Sequence, residues 1–212
     1  MNEFKKIAYE NQANTIIKKL QLRHMAGYYV DNMEEATKKV LELLGSDKKT
    51  VSYGGSMTID DSDLKERIVA AGHELIIREN AKTEEELKEV KAKTVNADAF
   101  LMSSNAITLD GELINIDGRG NRVSYMIYGP DKVIMVVGMN KVVPTVEDGI
   151  RRVRNVASPA NTARLHVDSP CAKTGRCANC LDNTICDQIV VTRASRVPER
   201  IQVILVGEEL GY

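Results

Sequence analysis

The chain has 212 residues, 43% of them apolar and 28% charged, with a formal net charge of −1. That length suits one domain whose core needs no cross-links, and the near-neutral balance gives no electrostatic footprint for nucleic acid or an anionic membrane surface. No run of about 18 apolar residues occurs, so no membrane span is expected. The Lys-rich opening also lacks the apolar stretch of a secretory leader, so the expected location is the cytoplasm, where thiols stay reduced.

After the N-terminal stretch, Asp31 with Glu34 three residues on is an acidic variant of the capping box. Behind it Met33, Ala36, Val40, Leu41 and Leu44 recur at helical spacing until Gly45. Residues 49–53 read as a short strand leading into Gly54-Gly55-Ser56. A helix over 61–71 and a strand over 73–77 follow. Thr83 and Glu86 form a second capping box, opening a helix through Leu87, Val90 and Val95. Residues 99–102 form a buried strand. Residues 107–109 and 112–116 read as a hairpin, because Asp110-Gly111 supplies the positive φ angles of a tight turn.

Val123, Met126 and Ile127 fit a short helix ended by Gly129-Pro130. The run Val133 to Val137 is unbroken, as in a strand buried on both faces. Thr145 caps a helix carrying Val146, Ile150, Val153 and Ala157 inward. Residues 158–187 lose periodicity and are expected as an inserted irregular loop. Strands return over 188–192 and 201–206. The alternation predicts one α/β domain over 1–212, with an open, largely parallel sheet flanked by helices and an N-terminal helix.

All four cysteines, Cys171, Cys177, Cys180 and Cys186, fall within this irregular stretch, at gaps of five, two and five residues. Cys177-Ala-Asn-Cys180 lets two sulfurs reach one metal from a single turn, as in zinc knuckles and iron–sulfur loops, and Cys171 and Cys186 would complete a four-sulfur shell. The expected group is an iron–sulfur cluster or zinc, which spacing does not separate; a redox dithiol is the alternative. An irregular segment of this length buries too little apolar surface to hold one shape, so a metal would order it.

A second candidate site lies at the glycine turn. Gly54 and Gly55 let the backbone approach a ligand, while Ser56 and Thr58 offer hydroxyls and amides. Such a turn at the carboxyl end of a strand is where α/β sheets bind ligands. Ser103-Ser104-Asn105, the loop Asn115–Arg122 and Gly138-Met139-Asn140-Lys141 end other strands. Were those strands parallel neighbours, Asn140, Lys141 and Arg119 or Arg122 would stand beside the turn, suited to a small anionic ligand. Asp60 and Asp61 would oppose an anion there.

The order of helix, Tyr53-Gly54-Gly55-Ser56-Met57-Thr58, Asp110-Gly111-Glu112-Leu113-Ile114-Asn115, Asp117-Gly118-Arg119-Gly120-Asn121-Arg122 and Val137-Gly138-Met139-Asn140-Lys141 resembles the LUD domain of lactate-utilisation proteins. The resemblance runs from about residue 10 onward. It implies a fold similar to ribose-phosphate isomerase, glucosamine-phosphate deaminase and the coenzyme A transferases. In that group the glycine turn cradles phosphate or coenzyme A and a lysine after a later strand assists; Gly54, Gly55, Ser56, Thr58 and Lys141 match by position. The acidic motifs of the isomerases and the nucleophilic glutamate of the transferases find no match, Glu112 being the nearest acid.

The resemblance implies an accessory or catalytic component of lactate or other organic-acid oxidation, working with an iron–sulfur or oxidoreductase protein partner. The chain has no G-x-G-x-x-G fingerprint with which to bring its own dinucleotide acceptor. Two other readings stay open: an independent enzyme on a sugar phosphate or acyl-coenzyme A, and a metal-stabilised interaction module without catalysis.

Overall fold

The computed structural model describes residues 2–212. It opens with α1 (Glu3–Leu22), capped by Asn2, and continues through β1 (Ala26–Val30), α2 (Met33–Leu44) and β2 (Thr50–Tyr53). The short α3 (Met57–Asp60), α4 (Leu64–Ala70), β3 (Glu74–Ile76), α5 (Glu84–Val95) and β4 (Ala99–Met102) come next. A hairpin of β5 (Ala106–Thr108) and β6 (Leu113–Asp117) leads into α6 (Asn121–Ile127), β7 (Lys132–Gly138) and β8 (Val142–Val143). The chain closes with α7 (Val146–Arg152), α8 (Ser158–Arg164), α9 (Pro170–Thr174), β9 (Gln188–Thr192) and β10 (Ile201–Val206).

Six strands form the expected parallel sheet, in the order β1-β10-β7-β4-β2-β3. β7 shows why its sequence is an unbroken apolar run. Val133, Met135 and Val137 join a core with Ala13, Ile16 and Leu20 of α1 and Val123 and Met126 of α6. Ile134 and Val136 point the other way, onto Ala36 and Val40 of α2 and Ile59, Leu64 and Ile68 of α3 and α4. Strand side chains alternate between faces, and here each face is covered by helix. Burying one such aliphatic side chain contributes about 1.5–3 kcal/mol, so the run anchors both layers.

β1 was not expected from the sequence. Its residues are mostly half-buried, and its strand partner, β10, lies far along the chain. Nor was a second sheet foreseen. It has the order β8-β5-β6-β9, with β6 antiparallel to both β5 and β9. α7 and the turn that continues it cover it, placing Val146, Ile150, Val153 and Ala157 against Ala106, Ile114 and Ile116 as their periodicity predicts.

Two local expectations are corrected. α2 is capped one residue later than expected: the Glu35 N–H donates to Asn32 Oδ1 at 3.0 Å, while Glu35 Oε2 accepts from the Asp31 N–H. The stretch from residue 158 is not irregular at its start. α7 passes through a π-helical turn (Val153–Ala157) directly into α8, and α9 follows. Pro159 has no N–H to donate and its ring crowds the preceding turn, which fits a widened turn just ahead of it. The capping box of α5 forms as expected, from Thr83 and Glu86.

Candidate functional site

β2, β4 and β7 are adjacent and parallel, so the segments after their carboxyl ends meet along one rim. Lys141, just past β7, joins them. Its Nζ lies 3.0 Å from Thr58 Oγ1, on α3 after the glycine turn, and 3.0 Å from Ser103 Oγ, after β4. Lys141 is only 4% exposed. Thr58 and Ser103 are buried with it.

Arg122, from the start of α6, runs beneath the glycine turn. A β-carbon at position 54 would stand 2.8 Å from its Cγ and 3.1 Å from Cζ of Phe100, so only glycine lets strand and guanidinium stem come this close. The guanidinium donates to four neutral acceptors: Ser103 O (3.2 Å), Asn115 Oδ1 (2.7 Å), Asn105 Oδ1 (2.8 Å) and Ile116 O (3.0 Å). Asp117, the acid that acts on it through space, uses Oδ2 to accept from the N–H groups of Arg122 and Val123 at the head of α6.

Arg152, at the end of α7, is the residue that sequence reasoning missed. It donates from Nε to Asn140 O at 3.1 Å and from Nη1 to Asn105 O at 2.9 Å, reaching the segments after both β7 and β4. No local pattern marks it, because its role depends on α7 lying over those segments.

Three basic side chains therefore meet at the rim. Among the described residues none of them forms an ion pair within 4.0 Å. Burial, then the charges of Arg152 and Arg122, lower the Lys141 ammonium from its ordinary value to about 7. Burial lowers Arg122 and Arg152 as well, but arginine holds its charge at neutral pH. With Asp117 acting on Arg122 alone and from beyond pairing distance, the site keeps an excess of positive charge, which favours an anion.

The other expected residues divide. Asn140 faces the C-terminal segment, its Oδ1 accepting from the Leu210 N–H at 3.1 Å. Arg119 is exposed, and no hydrogen bond of its side chain is found among the described residues. Gly55 is exposed, and Ser56 occupies the cap position of α3 without a side-chain capping bond. Asp60, expected to oppose an anion, is paired with Lys65 at 2.8 Å. Glu112 binds Arg23 and accepts from Thr108 Oγ1 at the hairpin, so its carboxylate ties α1 to β5. The C-terminal segment lies over the rim: a β-carbon at Gly211 would stand 2.9 Å from Thr58 Oγ1 and 3.5 Å from Lys141 Nζ.

Three of the cysteines, Cys171, Cys177 and Cys186, gather elsewhere, along one stripe of the α7–α8 helix. Arg154 Nε donates to Cys177 Sγ at 3.2 Å, Ser158 Oγ shares a hydrogen bond with Cys186 Sγ at 3.2 Å, and Thr162 Oγ1 shares one with Cys171 Sγ at 3.4 Å. Residues 154, 158 and 162 follow one another about one turn apart. Cys186 is pushed up mainly by burial, with the charges of Cys171 and Cys177 adding to it, so these three sulfurs are near enough to interact. All four cysteines are free. Among the described residues no group of three or more His, Cys, Asp or Glu side chains is closed enough to hold a metal ion. Thiolates are chemically suited to a thiophilic metal, but the four cysteines are not brought into the single shell expected from their spacing.

Among the described residues no helix is long and apolar enough to cross a membrane. The family model of the LUD domain matches residues 13–206. The structure is similar to the crystal structure of a DUF162 family protein from Deinococcus radiodurans, at 19% identity and a TM-score of 0.52, covering 95% of this chain and 98% of that one. No curated protein matches the sequence. With the LUD model spanning nearly all of it, the chain belongs to the LUD domain family.

Proposed function

We propose that this protein binds a small organic anion at the rim of β2, β4 and β7 and serves in the oxidation of lactate or another organic acid. The observation that carries the reading is the meeting of Lys141, Arg122 and Arg152 without a paired carboxylate. A bound carboxylate or phosphate would restore the balance by pairing with Arg152. The Thr58 hydroxyl and the neighbouring amides would orient such a ligand.

The same proposal gives Cys171, Cys177, Cys180 and Cys186 a metal. An iron–sulfur cluster would supply a one-electron carrier and zinc a structural clasp. In the first case an iron–sulfur or oxidoreductase partner supplies the acceptor, and the cytoplasm keeps the thiols reduced. Transferase chemistry is disfavoured, because the Glu112 carboxylate is committed to Arg23 and Thr108.

Thermal unfolding with lactate, pyruvate, phosphate or coenzyme A tests the rim, since a ligand of the native state must raise its stability. A rise with one of these, abolished in Arg152→Gln, is expected; no rise with any of them contradicts the reading. Metal content and the absorption spectrum of protein purified without air test the cysteines. A colourless, metal-free protein whose stability is unmoved by iron or zinc removes the metal. Unimpaired growth on lactate and related acids after deletion of the gene removes the role in oxidation.

A further inference from the structure

An unprotonated lysine has two N–H groups and one lone pair. Lys141 Nζ has two oxygens at 3.0 Å, on Thr58 and Ser103. The Ser103 hydroxyl points its own hydrogen at Ser104 O (3.3 Å), so its oxygen is left to accept from the amine. Thr58 Oγ1 accepts the second N–H. With both N–H groups given to these oxygens, the lone pair is not bonded to the Ser103 hydroxyl, whose hydrogen is already placed. Gly211 borders Nζ as well, so its backbone must yield for a ligand to reach the nitrogen.

The surroundings favour the unprotonated amine. Burial and two neighbouring guanidinium groups both disfavour the ammonium, lowering it to about 7. Desolvation and a neighbouring cation are the two ways in which lysine nucleophiles are activated. Arg152 commits Nε to Asn140 O and Nη1 to Asn105 O, which leaves its Nη2 for a ligand carboxylate.

We infer that Lys141 is a nucleophile that captures a small 2-oxo acid as an imine, with the acid's carboxylate held against Arg152. The inference rests on the anion-binding reading and names the ligand class. The nitrogen lone pair forms the C–N bond while the carbonyl π pair moves to oxygen, which takes the proton shed by nitrogen. The carbinolamine then loses its hydroxyl with the remaining nitrogen proton as water, leaving C=N. Thr58 Oγ1, within hydrogen-bond reach of Nζ, can relay these protons. No oxidant or reductant takes part.

The test is borohydride reduction of the full-length protein in pyruvate, followed by intact-mass measurement and peptide mapping. One reduced adduct at Lys141 is expected, forming at least tenfold faster than on any other lysine. Its rate should rise with pH through about 7 and fall in Arg152→Gln. Mapping the parent protein locates the adduct without any variant, and Lys141→Arg, which keeps a cation, should abolish it. Label spread evenly over surface lysines overturns the inference. If pyruvate stabilises the protein yet borohydride traps nothing at Lys141, the anion site stands and imine capture is refuted; if pyruvate does neither, capture is refuted along with pyruvate binding.

Discussion

Replacing Lys141 with methionine keeps a long apolar stem and removes the ionisable nitrogen. The lysine has its ordinary value of 10.5 in the unfolded chain and about 7 in the fold. Between those values the unfolded chain binds a proton that the folded protein sheds, so raising the pH through this window stabilises the fold. Holding the nitrogen in place costs about 4 kcal/mol at pH 7 and about 2 kcal/mol at pH 9, and the cost fades above pH 10.5. The variant also loses hydrogen bonds to Thr58 and Ser103, each worth about 1 kcal/mol, but that loss is nearly the same at both pH values. Urea unfolding of parent and variant at pH 7 and pH 9 isolates the proton term. The parent should gain about 2 kcal/mol more than the variant between the two conditions. Parallel pH dependence in the two proteins would refute the buried, unpaired amine.

Gly54→Ala drives a β-carbon into the Arg122 stem and Phe100; stability should fall by about 1–3 kcal/mol in denaturant titration, with anion binding weakened. Arg122→Met removes a donor from four acceptors, two of which keep a backbone N–H, and a loss of about 3 kcal/mol is expected from the same assay. Glu112→Gln weakens the tie to Arg23 and should cost about 1–3 kcal/mol while the thermal shift given by the rim anion stays as in the parent. Arg152→Gln should do the reverse, weakening that anion at least tenfold by calorimetry with a smaller change in stability.

The parts of this fold that could be read from sequence are those where local chemistry and tertiary environment agree. Val133–Val137 is apolar throughout because helices cover both faces of β7, and Thr83 with Glu86 closes a cap using only neighbouring backbone. β1 went unread because what makes Ala26–Val30 a strand is β10, far along the chain. The α8 helix went unread because its inward stripe carries Ser158 and Thr162, which meet sulfurs rather than an apolar core. At the rim, glycine turn and lysine were legible as a motif. Ser103, expected at the rim as the end of its strand, is there; the contribution of Arg152 comes from α7 lying over the other segments, and Arg122, expected at a ligand, is instead occupied with holding the rim together.

The charge state of one nitrogen governs what the rim can bind. Observing Lys141 Nζ by heteronuclear NMR across pH, without and then with the stabilising anion, measures it. A midpoint near 7 that climbs when the anion is added is the predicted result. A midpoint near the ordinary 10.5, unmoved by any anion, would contradict it.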